Sequence, residues 1–280
     1  CLEPKRADGR QMGWGFILLT LGLFQKTILA DQLFAPIADL IYGEPERVSF
    51  ATAWLGTLAF SGQIFFDFAG YSSCAIGAAL CVGFALPDNF RYPYAAIGFS
   101  DFWGRWHISL SSWLRDYLYI PLGGNRHGRF NHAASLMLTM LIGGLWHGAG
   151  WTFMVWGGLH GLYLVAERIA KKTVGDLALW RSHAMQIALA LLTFLLVTIA
   201  WVFFRAPDFT SAMLFFRAMF GGAQQTSPVT PEAYFALGAV CMTLVVQWKM
   251  RHSSIEDVAE RLPRWAVALG IGLLLFIMAI

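Results

Sequence analysis

Charge is what this sequence is short of. Asp, Glu, Lys and Arg make up 13% of its 280 residues, against about 25% in ordinary soluble domains. Mean hydropathy is +0.56 and 57% of the residues are hydrophobic. Together these exclude an ordinary soluble domain and indicate an integral membrane protein. The net charge of +3 is too small for a nucleic-acid footprint, so the basic residues read as loops facing anionic lipid or the cytoplasm. Cysteine is scarce too. Cys1, Cys74, Cys81 and Cys241 have neither metal-site nor paired-loop spacing. Cys74 and Cys81 lie two helical turns apart and read as buried thiols on one face. There is no HExxH or HxxxH pattern and no GxSxG elbow, so neither a zinc site nor a serine nucleophile has a motif here. No repeat and no low-complexity segment occurs.

What is present is a series of apolar runs. About 20 apolar residues are needed to cross the hydrocarbon. Met12 to Ala30 reads as a first span, followed by a loop from Asp31 to Arg47. Val48 to Phe66 and Ala69 to Leu86 read as two further spans, with Asp67 between them. The second of these is rich in small residues (Gly70, Ser73, Gly77, Gly83), which let helices approach closely in lipid. Ala133 to Leu145 is short enough to be re-entrant. Trp151 to Ala166, Ala184 to Phe204, Glu232 to Trp248 and Arg264 to Ile280 read as the remaining spans, and Phe209 to Phe220 as amphipathic. If every run crosses once, one side collects Arg47, Arg91, Arg105, Arg115, Arg126, Arg129, Arg168, Lys171, Lys172, Arg181, Lys249, Arg251, Arg261 and Arg264. The other side holds Lys5, Arg6, Arg10, Arg205 and Arg217. The richer side is expected to be cytoplasmic.

The pattern changes from Asp101 to Gly161. Phe102, Trp106, Leu110, Trp113, Leu114 and Tyr117 recur at helical spacing, with Arg105, Ser109, Ser112 and Asp116 on the other face. This is too polar to span and suggests an interfacial helix. His147 follows an apolar run and is flanked by Gly143, Gly144, Gly148 and Gly150. An ionisable group at membrane depth faces a cavity or a partner by default. His107 lies 40 residues earlier. Two such histidines suit acyl transfer: one takes the proton of an attacking hydroxyl, the other hydrogen-bonds the donor or the developing oxyanion. Spacing does not say which does which. His160 is a third candidate, or a bridge between helices. His127, His132, His183 and His252 read as solvated loop residues.

Three ordered segments carry a resemblance: FDFAGYSSCAIGAALCVGFALPDNFRYPY (66–94), DFWGRWHISLSSWLRDYLYIPLGGNR (101–126) and GLWHGAGWTFMVWGGLHGLYLVAER (144–168). They resemble the bacterial alginate O-acetyltransferase branch of the membrane-bound O-acyltransferase family, most densely over 60–170. The resemblance implies an all-α, multi-span helical bundle with re-entrant or interfacial helices around a central tunnel. It implies one membrane-embedded acyltransferase domain over residues 1–280, here expected to be N-terminally truncated. His147 maps to the family's catalytic histidine and His107 to a second histidine lining the site. Asp101, Trp103, Arg105, Trp106, Ser109, Asp116, Asn125, Trp146 and His160 are the further candidates for the tunnel wall, with no metal ligand among them. Gly104 stands where the family usually has Arg, which removes one positive charge near the expected donor entrance. The implied activity passes an acetyl group from a cytoplasmic thioester such as acetyl-CoA across the bacterial inner membrane. It ends on an exopolysaccharide such as alginate, directly or through a periplasmic acetyltransferase partner. No bound cofactor and no nucleic acid are expected. D-alanyl transfer to teichoic acid is the alternative within the family; a transporter or a scaffold for polysaccharide secretion is the alternative outside it.

Overall fold

The computed structural model describes residues 6–126, 128–174, 180, 182–222 and 231–280; Cys1, Lys5, His127 and Arg181 lie outside them. Among the described residues the regular structure is entirely helical. Helix α1 (Gly9–Phe24) starts at a capping box in which the Asp8 carboxylate accepts from the Gln11 N–H. It runs on without a break through a π-helical stretch, Gln25–Phe34, into α2 (Ala35–Gly43). The expected loop from Asp31 is therefore helix as far as Gly43. Asp31 is tolerated there because Lys26 Nζ reaches it at 2.8 Å. The two are five residues apart, the spacing that brings side chains together in a π-helix.

The second correction is larger. Ser49 caps α3 (Phe50–Cys81), a single helix of 32 residues where the sequence suggests two spans. At 1.5 Å per residue it is about 48 Å long, more than a bilayer core is thick. Asp67 looks like an interhelical loop residue but sits mid-helix, with its carboxylate 2.6 Å from Lys26 Nζ. One lysine on the first helix thus neutralises both acids that look like breakers. The α1/α3 contact is close because Gly15 and Gly22 face Gly77 and Gly70; a Cβ on Gly70 would stand 2.7 Å from the Gly22 carbonyl oxygen. Cys74 and Cys81 lie on this same seam as free thiols.

The interfacial segment is also broken up. Helix α4 (Phe99–Trp103) ends at a turn, α5 (Ile108–Leu114) follows, and a π-helical turn (Arg115–Tyr119) closes it. The single face expected from Phe102 to Tyr117 is consequently split: Phe102, Trp106 and Leu114 are buried, while Trp113 and Tyr117 are exposed. Helices α6 (Gly128–His147) and α7 (Trp151–Val174) form a hairpin. At 20 residues α6 is longer than the short run expected there. It includes His132, which is buried beside Tyr119 Oη at 3.2 Å rather than solvated. Helix α8 (His183–Arg205) passes through the centre of the core and carries the buried Val197, Ala200, Trp201 and Val202. Helix α9 (Phe209–Met219), amphipathic as expected, lays Ala212, Phe215 and Met219 on that core. Helices α10 (Pro231–Met250), α11 (Ile255–Arg261) and α12 (Arg264–Ala279) complete the chain.

Among the described residues, four segments are long and apolar enough to cross a membrane: Gly9–Gly43, Phe50–Cys81, His183–Arg205 and Pro231–Met250. With α3 as one crossing, the sides of the loops are reassigned. Contacts agree with the new assignment. At one end Arg205 Nη2 meets Asp39 at 2.6 Å and Trp54 Nε1 donates to Met219 O at 3.2 Å. At the other, Tyr94 N donates to Gln247 Oε1 at 2.8 Å and Arg251 meets Asp101 at 2.8 Å. Arg47 now joins Arg205 and Arg217 on the poor side. Arg6 and Arg10 join the other loops on the rich side, so the charge asymmetry is sharper than the sequence count suggested.

Candidate active site

A cavity of about 320 Å³ opens inside the bundle. It draws on α3 (Ile64, Asp67, Phe68), the α4–α5 segment (Trp103, Trp106, His107, Leu110), the α6–α7 hairpin (Trp146, His147, Trp156) and α8 (Trp201, Phe204). Its volume falls in the usual range for small-molecule sites. The wall is aromatic, and its rings brace one another: Trp106 and Trp201 centroids are 5.2 Å apart, Trp156 and Trp201 5.8 Å, Trp103 and Trp156 6.0 Å. Each such pair contributes about 0.5–1.5 kcal/mol beyond area burial. The wall is therefore stiff.

The two histidines reach the cavity by different routes. His147 is the last residue of α6, where Gly144 and Gly157 let the hairpin backbones touch. That close approach presses the imidazole onto Trp146, Trp156 and Phe204, at 4.9, 5.2 and 5.1 Å between ring centroids. Phe204 adjoins Arg205, so His147 lies toward the basic-poor side. His107 comes from the α4–α5 segment, whose polar contacts are with the basic-rich side. Its ring stands edge-on to Phe68 at 4.5 Å, and its Nδ1 is 3.2 Å from Asn89 Oδ1. Burial, and secondarily the nearby His147, push the His107 imidazole down to about 4. His107 is therefore neutral at pH 7, the state in which an imidazole can accept a proton.

Of the residues singled out from sequence, Trp103, Trp106, His107, Trp146 and His147 converge on this cavity. The others stand elsewhere. Asp101 accepts from Arg105 Nε at 2.7 Å, Arg251 Nη2 at 2.8 Å and the Ile97 N–H at 2.9 Å. Asp101 and Arg105 thus form a brace behind the α4–α5 turn. Ser109 hydrogen-bonds Asn89 at 3.0 Å. Asp116 pairs with Arg115 on the surface at 2.7 Å, and Asn125 is exposed in the following turn. His160 is fully buried behind the wall, 5.1 Å from Trp103 and 4.9 Å from Trp156 between ring centroids. Its ring nitrogens and the indole N–H groups of Trp103 and Trp156 have no hydrogen-bond partner among the described residues. The indoles of Trp103 and Trp156 belong to the cavity wall, with their nitrogens buried among its rings.

The cavity residues missed from sequence are Ile64, Asp67, Phe68, Leu110, Trp156, Trp201 and Phe204. Asp67 carried a usable signal, since an acid between two apolar runs is costly unless it has a partner. Trp201 and Phe204 had none, being apolar residues in an apolar helix.

A membrane-embedded helical bundle, with two imidazoles and a carboxylate opening on an aromatic cavity, defines the class: a multi-pass membrane protein with an enclosed candidate site. Residues 9–206, which hold every residue of the cavity wall, match the model of the MBOAT, membrane-bound O-acyltransferase family, and the chain belongs to that family. It is 47% identical over 204 residues to the probable alginate O-acetylase AlgI of Azotobacter vinelandii, covering 71% of this chain and 38% of that protein. It is 42% identical over 212 residues to the peptidoglycan O-acetyltransferase of Helicobacter pylori, covering 76% and 40%. It is 36% identical over 161 residues to the teichoic acid D-alanyltransferase of Streptococcus thermophilus, covering 52% and 38%. The chain thus spans about two fifths of the length of these curated relatives.

Proposed function

We propose that this protein is an O-acetyltransferase that takes an acetyl group from a cytoplasmic thioester, such as acetyl-CoA, for ester formation on an exopolysaccharide such as alginate. One observation carries this reading: a single cavity is reached by His107 from the basic-rich side and by His147 toward the opposite side. Such a chamber lets a donor enter from one face of the membrane and an acceptor from the other. The basic-rich face would lie in the cytoplasm of a bacterial inner membrane, where its arginines attract a donor's phosphates. The acceptor is the sugar hydroxyl itself or a periplasmic partner protein that completes transfer.

The chemistry asked of the residues is modest. The hydroxyl oxygen attacks the thioester carbonyl and loses its proton to an imidazole. The carbonyl oxygen gathers negative charge, which the second imidazole stabilises by a hydrogen bond. The C–S bond then breaks, the thiolate takes up the proton, and the ester leaves. The aromatic lining excludes water that would otherwise hydrolyse the thioester. Likeness to the three relatives leaves polysaccharide, peptidoglycan and teichoic acid as acceptor classes. The test is His147→Ala in the intact protein, with ester-linked acetate measured on secreted polysaccharide and on peptidoglycan at matched protein levels. Loss from the polysaccharide alone supports the reading. Loss from peptidoglycan alone moves the acceptor, and unchanged acetate on both overturns the role of His147.

A further inference from the structure

His107 is one of two described non-glycine residues with positive φ, at 44°. A bulky side chain seldom takes that conformation without support. The support is Asn89. The Ile108 N–H donates to the Asn89 carbonyl oxygen at 3.0 Å. Asn89 Oδ1 accepts from the Ser109 backbone N–H at 3.2 Å and from Ser109 Oγ at 3.0 Å. Asn89 Nδ2 donates to Ser72 Oγ on α3 at 3.2 Å. A backbone N–H can only donate, so it is the amide oxygen, not the amide nitrogen, that faces the α5 end. His107 Nδ1 lies 3.2 Å from that same oxygen. An amide oxygen can only accept, so a bare Nδ1 would set two acceptors against each other; Ser109 Oγ, 3.4 Å from Nδ1, gives its own hydrogen to the nearer Asn89 Oδ1 at 3.0 Å, and Nδ1 carries the hydrogen. In a neutral imidazole the lone pair is then on Nε2. No described residue hydrogen-bonds Nε2, and the ring lines the cavity.

We infer that Asn89 is a positioning residue that fixes His107 in the Nδ1–H tautomer and turns Nε2 toward the cavity as a proton acceptor. Its catalytic meaning rests on the acyl-transfer reading above. It settles a division of labour that spacing leaves open. His107 takes the accepting role: the hydroxyl proton moves to Nε2 as the new O–C bond forms, and the C–S electron pair leaves on sulfur. The imidazolium shares its Nδ1–H with Asn89 Oδ1 and returns the Nε2 proton to the thiolate. Neutral His107 has no hydrogen on Nε2 to give an oxyanion, which leaves the donor role to His147.

The experiment uses the intact protein in nanodiscs with ¹⁵N-labelled histidine. The His107 ring is assigned by its disappearance in His107→Gln, and the tautomer is read from the two-bond ¹H–¹⁵N coupling pattern. The Nδ1–H pattern is expected in the native protein, with Asn89→Leu shifting it toward Nε2–H. Asn89→Leu is expected to lower kcat for acetyl-CoA turnover by about tenfold or more, the scale of a misplaced general base, with KM little changed. Asn89→Asp keeps an acceptor on Nδ1–H and is expected to restore most of kcat. An Nε2–H pattern in the native protein overturns the inference whatever the variants do. An altered tautomer with undiminished kcat overturns the catalytic meaning. A native protein that turns over no thioester instead counts against the proposed activity, and the ring spectrum still decides the tautomer.

Discussion

Among the described residues His147 has no polar partner to hold it, only rings, so replacing it tests chemistry more than folding. His147→Ala is expected to lower acetyl transfer by about 10²- to 10³-fold, the usual share of one hydrogen-bond donor to the developing oxyanion. The check is acetate release from labelled donor in membranes holding equal amounts of protein. The His107 imidazole, pushed down to about 4, adds a pH prediction. A lowered value favours the neutral ring, so His107 stays neutral down to about pH 4 and protonates only below it. The acid limb of kcat/KM assigned to His107 is therefore expected well below the ordinary histidine range near 6.5. A limb at 6.5 that vanishes in His107→Gln would contradict this. Asp101 acts at one remove. Its carboxylate holds Arg105 and Arg251, whose side chains are 15% and 12% exposed. Asp101→Ala leaves both cations unpaired, at a cost of about 2 kcal/mol, between the values for surface and buried pairs. Thermal unfolding in detergent measures it.

At the level of elements, the α1/α3 seam decides where the Lys26–Asp67 pair sits. Its glycines bring backbone against backbone, and any added side chain meets carbonyl oxygen rather than a flexible neighbour. Gly22→Val is expected to destabilise by about 1–3 kcal/mol, the scale of overpacking, and to lower the detergent melting temperature. Gly13→Ala, on the same helix where nothing stands within 4 Å, is expected to change little and serves as the control. The π-helical stretch between α1 and α2 has a matching role: it sets Lys26 and Asp31 on one side while the helix continues. Acidic residues in an apolar run signal a loop only when nothing pairs them. Here a single cation on a neighbouring turn reverses the outcome for both Asp31 and Asp67.

Across the whole molecule, the count of crossings sets which end of the cavity meets which compartment. Joining two expected spans into α3 moved Arg47 to the side of Arg205 and Arg217, and left nearly all other loop cations opposite them. Glu46→Cys and Arg126→Cys, each in a cysteine-free background, are expected to label oppositely with a membrane-impermeant maleimide. Glu46→Cys should react in intact spheroplasts, and Arg126→Cys only after permeabilisation. Labelling of both from one side would mean that α3 does not cross once.

The sequence by itself determined the membrane class, the family, and the two histidines that meet in the cavity. Hydropathy and charge scarcity are sums over many residues, and the RWH and WHG segments are local strings, so neither needs coordinates. Only the tertiary structure decided that α3 is one helix, because continuity there depends on Lys26, which is 41 residues away from Asp67 in the chain. It alone separated the candidates that line the cavity from Asp101, Arg105, Ser109, Asp116, Asn125 and His160. Helical spacing says which residues share a face, but not that the chain turns at His107 and rotates the next helix away. It alone placed Trp201 and Phe204 in the wall and Asn89 against His107. Those neighbours are joined by packing and by hydrogen bonds between distant segments, which no local pattern records.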